Sequence, residues 1–311
     1  MFLLKKLGST LFSQRLFELF QKLGINLTGN HFFSPIPDTR ALATREALWE
    51  TDSELPGVDL NIEGQLHFLD NVFPRFRHEC NFPLHKTSTP HEYYINNGSF
   101  GLISAAVLHC MIRYFRPKTI VEVGSGYSTL VAARASVMNQ ADGVHTELVS
   151  IEPYPMHPLT KGLPGLSRLE PRNVEDIDVD FFAQLEKGDI LFIDSSHVIR
   201  IGGDVVFLYL EILPRLNSGV IIHIHDIFFP KNYPKDWVLK QRRFWNEQYL
   251  LQAFLTYNRN FDVLWCGSYT YWNFQTELIS TFPPPQGLGF RENYFSSSFW
   301  MRKTGRTDKT L

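Results

Sequence analysis

The sequence contains few cysteines, no long apolar run and no cluster of positive charge. Each of these features argues against a class of protein. Cys80, Cys110 and Cys266 are odd in number, far apart and without a C-x-x-C pair, so neither a disulfide framework nor a cysteine zinc site is expected. The formal net charge is -2 and no run of Lys or Arg exceeds two residues, which argues against nucleic acid as a partner. Free thiols fit a reducing compartment, and we therefore expect a cytoplasmic location.

The sequence also lacks a stretch of about 18 apolar residues, so no transmembrane segment is predicted. Residues 1–25 lack the apolar core and the small-residue cleavage site of a secretory signal. Their leucines and phenylalanines instead recur at helical spacing over residues 3–23, with lysines and arginines between them. Such a helix could lie on a membrane surface. We expect it rather to pack against its own domain or against a second copy of the chain, as the contact of a homo-oligomer.

At 311 residues the chain suits one large or two small domains. Prolines and glycines interrupt residues 26–60, so residues 1–95 are predicted to form a mainly helical N-terminal extension, with one helix near residues 39–49. From residue 96 onward, predicted strands and helices alternate. This alternation predicts an α/β domain over residues 96–311, in which helices cover both faces of a doubly wound parallel sheet.

One stretch, TIVEVGSGYSTL at residues 119–130, joins a predicted strand to a predicted helix through a glycine-rich turn. Gly124 and Gly126 allow backbone conformations that other residues avoid, and they let a ligand approach the main chain. The helix that opens near Ser128 presents unpaired N–H groups. A polar ligand is therefore expected on this turn.

The turn resembles motif I of the class I S-adenosylmethionine-dependent methyltransferases, because the acid Glu122 lies two residues before the first glycine of a G-x-G. The string G-S-G-Y-S departs from the G-x-G-x-x-G fingerprint, which disfavours a nicotinamide-dependent oxidoreductase. The resemblance implies that S-adenosylmethionine is the cofactor and that this turn binds it. An alternative for Glu122 is that it is buried and braces the turn. The implied donor contacts are Glu122, Gly124, Ser125, Gly126, Tyr127 and Ser128.

Two later segments extend the resemblance. LVSIEP at residues 148–153 is a second predicted strand that ends in Glu152 and Pro153, and a carboxylate at that strand end can accept both ribose hydroxyls. RNVEDI at residues 172–177, which includes Glu175, lies where the family contacts the adenine amino group. A solvated strand end and an ordinary polar loop are the alternatives for these two segments.

Two further strand ends carry unusual chemistry. The apolar run at residues 190–193 leads into Asp194-Ser195-Ser196-His197, and the run at residues 220–224 leads into His225 and Asp226. Because ligands of open α/β sheets bind outside the carboxyl ends of the strands, both ends should converge beside the methyl donor. His223 alternates onto the same face as His225, and we expect it to be a core residue with satisfied hydrogen bonds.

The segments IDSSH and LPRLNSGVIIHIHD resemble the motifs of methyltransferase family 24, which is akin to macrocin-type and catechol-type O-methyltransferases. Some of those relatives hold a divalent metal between an aspartate after the fourth strand and an acidic pair after the fifth. The resemblance implies the metal ligands Asp194, His225 and Asp226. His225 stands where an acid is usual, so a Mn-like ion suits this set better than Mg²⁺. The alternative is a metal-free site in which His197, or else His225, takes the proton of the acceptor hydroxyl, and Asp194 serves both catalysis and donor binding.

The resemblance therefore implies a Rossmann-like, seven-stranded methyltransferase sheet whose last strand is antiparallel. It also implies methyl transfer from S-adenosylmethionine to an oxygen of a small-molecule or glycosyl-type metabolite. N-methylation is an alternative, although an N-P-P-Y-type motif is absent where the fourth strand ends. A non-catalytic protein that keeps the fold for assembly is an alternative of a different class.

Overall fold

The computed structural model describes residues 14–156, 159–285, 289 and 294–305. Contacts divide the chain into two compact units, of which the first comprises Met1–Thr51 and Tyr233–Phe244, and the second comprises Asp52–Asn232 and Trp245–Leu311. These units do not coincide with a division at residue 95. That predicted division, as a statement of where the α/β domain begins, stays a prediction.

The described α-helices alternate with the strands in the second unit and are short in the first. They are α1 (Gln14–Lys22), α2 (Thr39–Ala43), α3 (Ala47–Glu50), α4 (Ile62–His67), α5 (Leu102–Phe115), α6 (Tyr127–Ala141), α7 (Val179–Ala183), α8 (Asp204–Phe207), α9 (Lys235–Leu239), α10 (Glu247–Leu255), α11 (Gly267–Asn273) and α12 (Gln275–Thr281). None of these helices has the length and apolar character that crossing a membrane requires.

The first unit contains α1, α2, α3 and α9. The Asp38 side chain caps α2 by accepting hydrogen bonds from the backbone N–H groups of Arg40 and Ala41. No residue of α1 is buried, although its leucines and phenylalanines follow helical spacing. The predicted helix over residues 3–23 lies partly outside the described residues, and its role in a homo-oligomer stays a prediction.

The second unit is built on a seven-stranded sheet in the order β3-β2-β1-β4-β5-β7-β6. Its strands β1 to β5 are parallel, and β7 is antiparallel to both β5 and β6, as predicted. The strand order reverses between β1 and β4, which is where open α/β sheets bind their ligands. The strands are β1 (Thr119–Val123), β2 (Glu147–Ile151), β3 (Arg168–Glu170), β4 (Ile190–Ile193), β5 (Ile221–Ile224), β6 (Phe261–Cys266) and β7 (Phe299–Lys303).

The central strands are apolar on both faces because helices cover both sides of the sheet. Along β1 and β4 the buried side chains alternate between two core clusters: Ile120 and Phe192 join the cluster that includes α5 and α6, whereas Val121 and Leu191 join the opposite one. The glycine turn after β1 and the Asp194 segment after β4 therefore each follow a strand that is packed on both faces.

Some helix boundaries differ from the sequence predictions. The helix expected over residues 39–49 is interrupted and forms α2 and α3. The sequence pattern also predicts a helix over residues 203–213. This segment begins as α8, continues as a π-helical turn at Leu208–Ile212 and ends as a 3₁₀ turn at Leu213–Arg215. Pro214 lacks an N–H group, so the α-helical hydrogen-bond ladder cannot continue through it.

Candidate active site

The turn after β1 combines a strained position with an open one. Gly124 has φ 88°, and a Cβ built there would overlap the carbonyl oxygen of Asp194, so only glycine fits. Gly126 has φ 179°, an extended conformation, and a Cβ there would meet nothing within 4 Å. The structure therefore leaves free space beside Gly126, directly before the N-terminus of α6.

A cavity of about 390 Å³ lies at the carboxyl ends of β1, β2 and β4, within the volume range of small-molecule sites. Four of the predicted donor contacts line it, from the ends of β1 and β2 and from a 3₁₀ turn at Val174–Asp176, and Asp194 lines it as well. Ser125, Gly126 and Tyr127 are not among its lining residues; the Tyr127 hydroxyl lies 2.8 Å from that of Tyr94. The lining residues predicted from the sequence are Gly124, Glu152, Pro153, Glu175 and Asp194.

Glu152 is held by the backbone of two neighbouring turns. Its Oε2 accepts a hydrogen bond of 3.2 Å from the Ser125 N–H, and its Oε1 accepts one of 2.7 Å from the Tyr154 N–H. A carboxylate oxygen has room for further hydrogen bonds. The carboxylate is thus fixed at the cavity wall and can still accept hydroxyl groups of a ligand.

Glu122 and Ser128 lie behind the turn rather than in the cavity. The Ser128 hydroxyl donates a 2.7 Å hydrogen bond to Glu122 Oε1, and both side chains are buried. Burial raises the pKa of Glu122 to about 7, although hydrogen bonds from Ser128 and its neighbours oppose the shift. Neither side chain lines the cavity, and this geometry favours the alternative interpretation of Glu122 as a residue that braces the turn.

The ends of β4 and β5 bring Asp194, His197 and Asp226 together. His197 Nε2 lies 3.4 Å from Asp194 Oδ1 and 3.7 Å from Asp226 Oδ2. His197 and Asp226 both adopt left-handed backbone conformations, with φ values of 60° and 58°. Such conformations are uncommon for residues other than glycine and often mark functional positions.

Two residues at and just before the start of α10 also contact His197. Its Nδ1 lies 2.8 Å from Glu247 Oε2, and its ring packs against Trp245 at 4.3 Å between centroids. Burial alone would lower the pKa of His197, but hydrogen bonds and charge from Asp194 and Glu247 outweigh it and raise that pKa well above its usual value. Burial likewise raises the pKa of Glu247. His197 is therefore the centre of a cluster with three carboxylates, which we call the His197 cluster: Asp194, His197, Asp226 and Glu247.

The structure gives His225 and His223 other surroundings. His225 Nε2 lies 3.5 Å from the Ser297 hydroxyl, and its ring packs on Phe100 at 4.8 Å. His225 Nε2 also lies 3.7 Å from Asp226 Oδ1. Among the described residues, however, the three donor atoms that lie within 4.8 Å of one another belong to Asp194, His197 and Asp226, so the geometry favours His197 over the His225 that the resemblance implied. His223 is stacked between Phe192 and Trp300 at 4.0 and 4.2 Å. It is a core residue as expected, but neither ring nitrogen has a hydrogen-bond partner among the described residues, so the expectation of satisfied hydrogen bonds is wrong.

Sequence reasoning missed one carboxylate beside the site, Glu247, and it places a second one, Asp204, only as a structural residue in the first turn of a helix. Glu247 contacts His197 from a helix 50 residues further along the chain. Asp204, at the start of α8, accepts hydrogen bonds from the backbone N–H and the hydroxyl of Ser196 at 2.7 and 2.6 Å, and it fixes the segment that carries His197. Its place in the first turn of a helix after two glycines is a signal that the sequence does contain.

Residues 121–227 match the family described as "Methyltransferase domain". An uncharacterised protein of Archaeoglobus fulgidus is 35% identical over 170 residues, which cover 51% of this chain and 74% of that relative. The chain belongs to this methyltransferase family. The methyltransferase depends on S-adenosylmethionine, and the matched segment runs from the middle of β1 to Ile227, just after β5.

Solved structures of methyltransferases show distant likeness. An O-methyltransferase of Bacillus cereus in complex with SAH is 17% identical, with a TM-score of 0.34, over 76% of this chain and 90% of that chain. CmcI with Mg and SAM is 15% identical, with a TM-score of 0.35, over 79% of this chain and 96% of that chain.

Proposed function

We propose that this methyltransferase transfers the methyl group to a hydroxyl oxygen of a small-molecule acceptor. The observation that carries the proposal is the position of the His197 cluster, which meets the donor cavity at Asp194. An acceptor placed there has a carboxylate and an imidazole within reach of its hydroxyl proton. A glycosyl-type acceptor, as the sequence suggested, is included in this proposal.

The reaction needs alignment and a place for one proton. The acceptor oxygen forms a bond to the methyl carbon while the bond from that carbon to the sulfonium sulfur breaks, and the hydroxyl proton passes to the cluster. Burial alone would raise the pKa of Asp194, but charge from His225 together with a hydrogen bond and charge from His197 outweighs it and lowers that pKa, so Asp194 stays ionised in the free protein. Glu152 and the turn at Gly124 hold the donor so that its methyl group faces this cluster.

The residues present also fit the divalent metal that the resemblance implied. Asp194, His197 and Asp226 place one donor atom each within 4.8 Å of one another. A bound ion would act as a Lewis acid on the acceptor oxygen and stabilise its alkoxide. CmcI has been solved with Mg and SAM.

The proposal is tested with Asp194→Asn, which keeps the size of the side chain and removes its charge. We expect methyl transfer to slow by roughly 10²-fold or more, because a proton acceptor next to the hydroxyl is lost. Donor affinity, measured by calorimetry with S-adenosylhomocysteine, should change only a few-fold. The measurement is release of S-adenosylhomocysteine with panels of hydroxyl and amine compounds, followed by mass spectrometry of the methylated product.

The matched control is Asp262→Asn on β6, where the carboxylate pairs with Arg302 away from the cavity; it should transfer methyl groups at the normal rate. Methylation of amines alone would replace the proposal with N-methylation. Donor binding without turnover on any acceptor would favour a non-catalytic assembly protein. Full activity of Asp194→Asn would remove the His197 cluster from the reaction.

A further inference from the structure

The His197 cluster has the form of a metal site with a nitrogen donor. We infer that Asp194, His197 and Asp226 bind one divalent transition ion, that His197 rather than His225 is its nitrogen ligand, and that Glu247 is the positioning residue for that ligand. This inference rests on the reaction centre proposed above, but it requires no particular acceptor.

The first argument is the spacing of the donor atoms. Two ligands that each bind an ion at about 2.1 Å lie about 3.0 Å apart at a right angle and about 3.4 Å apart at the tetrahedral angle. His197 Nε2 lies 3.4 Å from Asp194 Oδ1 and 3.7 Å from Asp226 Oδ2. Small side-chain movements would therefore bring all three donors onto one ion.

The second argument is the orientation of the imidazole. Nδ1 of His197 faces Glu247 Oε2 at 2.8 Å, and Glu247 is fully buried. Metal-bound histidines usually donate their other ring N–H to a carboxylate or a carbonyl, which fixes the tautomer and directs the lone pair to the metal. The backbone strengthens this arrangement, because the N–H groups of Asn246 and Glu247 both donate to the carbonyl of His197, at 3.0 and 3.2 Å.

The third argument favours His197 over His225 as the third ligand. His225 Nε2 lies 3.7 Å from Asp226 Oδ1, which is the oxygen that already accepts a 2.8 Å hydrogen bond from Ser297, and the Ser297 hydroxyl lies 3.5 Å from the same ring nitrogen. The group of three donor atoms in the described part of the chain contains His197 and not His225. Ser297 instead orients the second oxygen of Asp226, and so leaves Oδ2 for the ion.

The ligand set also indicates which ion binds. Mg²⁺ prefers an octahedral shell of oxygen atoms, whereas imidazole suits manganese, iron, cobalt, nickel or zinc. Three protein ligands leave coordination positions open, and Asp194 faces the donor cavity. An acceptor oxygen can occupy such a position.

The test is direct metal binding to the purified full chain after removal of metal with a chelator. Mn²⁺ and Mg²⁺ are titrated separately by calorimetry, Mn²⁺ also by electron paramagnetic resonance, and Co²⁺ by visible absorption. We expect one Mn²⁺ or Co²⁺ per chain and an affinity for Mg²⁺ at least 10-fold weaker. Trp245 fluorescence should be quenched by the paramagnetic ions, because its ring contacts His197.

Four variants assign the roles. His197→Gln and Asp226→Asn should each lose at least 10-fold in Mn²⁺ affinity, and Glu247→Gln should lose roughly 10- to 100-fold, the usual effect of removing a carboxylate behind a metal-bound histidine. His225→Gln should bind Mn²⁺ like the original chain. Circular dichroism confirms the fold of each variant, and Asp226→Asn keeps the test decisive if His197→Gln does not fold.

Equal affinity for Mg²⁺ and Mn²⁺, unchanged Mn²⁺ affinity in His197→Gln, or loss of binding in His225→Gln would each overturn the inference. No binding of any of these ions would overturn it as well. Methyl transfer measured in the presence of the chelator distinguishes a failure of the metal-site inference from a failure of the proposed function. Methyl transfer without metal would refute the metal site but would remain consistent with the proposed O-methylation.

Discussion

At the scale of single residues, the two glycines of the turn after β1 meet different needs. Gly124 has a left-handed backbone and lies against the carbonyl of Asp194, so packing of β1 on the end of β4 explains it. Gly126 has an extended backbone and no close neighbour, so packing does not explain it. If the donor approaches this turn as the resemblance implies, a side chain at position 126 would enter the space that the donor needs.

We therefore expect alanine to weaken donor binding at position 126 and to lower the stability of the fold at position 124. Gly126→Ala should unfold at nearly the original temperature but bind S-adenosylhomocysteine at least 10-fold more weakly. Gly124→Ala should lose about 1–3 kcal/mol of stability or more, because a left-handed alanine is strained and its Cβ overlaps Asp194. Thermal unfolding and calorimetry on both variants provide the two measurements.

Gly143→Ala is the matched control for Gly124→Ala. Gly143 also has positive φ, at 82°, but a Cβ there meets nothing within 4 Å. The difference between the two variants isolates the cost of the overlap with Asp194. Unchanged donor affinity in Gly126→Ala would show that the donor does not approach this glycine.

At the scale of secondary-structure elements, the central strands could be predicted because their signal is local. β4 is a continuous apolar run with a carboxylate directly after it, and the alternation of strands and helices implies that its end meets the ends of β1 and β5. This places Asp194 and Asp226 at one edge of the sheet from the sequence alone. Which histidine, His197 or His225, lies next to both aspartates depends on how the backbone turns after each strand, and the periodicity of the sequence does not predict that turn.

Glu247 could not be predicted for a different reason. The sequence pattern predicts a helix over residues 243–257, but α10 begins at Glu247, so its first turn rather than its second carries the carboxylate. Contact with His197 depends on packing between segments 50 residues apart. Long-range contacts of this kind arise from tertiary structure, which a single sequence does not display.

The buried histidine on α5, His109, makes stability depend on pH. His109 Nε2 lies 2.8 Å from Glu79 Oε2, and the same carboxylate binds Arg113 on the next turn of α5. Burial lowers the pKa of His109 to about 4, although Glu79 opposes the shift. The unfolded chain therefore binds a proton at this histidine between about pH 6.5 and pH 4, whereas the folded protein does not.

Stability should accordingly fall as pH falls through that range, and His109 should contribute on the order of 3 kcal/mol to the loss. His109→Gln removes the titrating group and keeps a side-chain N–H for Glu79. Denaturant unfolding at several pH values should show a shallower decline between pH 6.5 and pH 4 in this variant. His78→Gln, at an exposed neighbouring histidine, should follow the original curve, and an equal decline in both variants would contradict the assignment.

At the scale of the whole molecule, every residue that lines the donor cavity belongs to the second contact unit. A ligand that binds only the folded form stabilises it by RT ln(1 + [L]/Kd), which is about 2.7 kcal/mol at a concentration of 100 Kd. The midpoint temperature at which this unit unfolds should therefore rise when S-adenosylhomocysteine is added. If calorimetry resolves a second transition, that one should not move.

We expect a shift of roughly 5 °C at 100 Kd, given that 1 kcal/mol moves the midpoint of a domain of this size by about 2 °C or slightly more. NAD is the informative control, because a nicotinamide-dependent enzyme would be stabilised by it, whereas the G-S-G-Y-S turn with Glu122 in the preceding strand departs from the dinucleotide fingerprint. In Gly126→Ala the shift with S-adenosylhomocysteine should shrink even though the unliganded midpoint stays unchanged. A rise with NAD and none with S-adenosylhomocysteine would mean that the cavity binds a dinucleotide, since the stabilising ligand must be the one that the folded cavity holds.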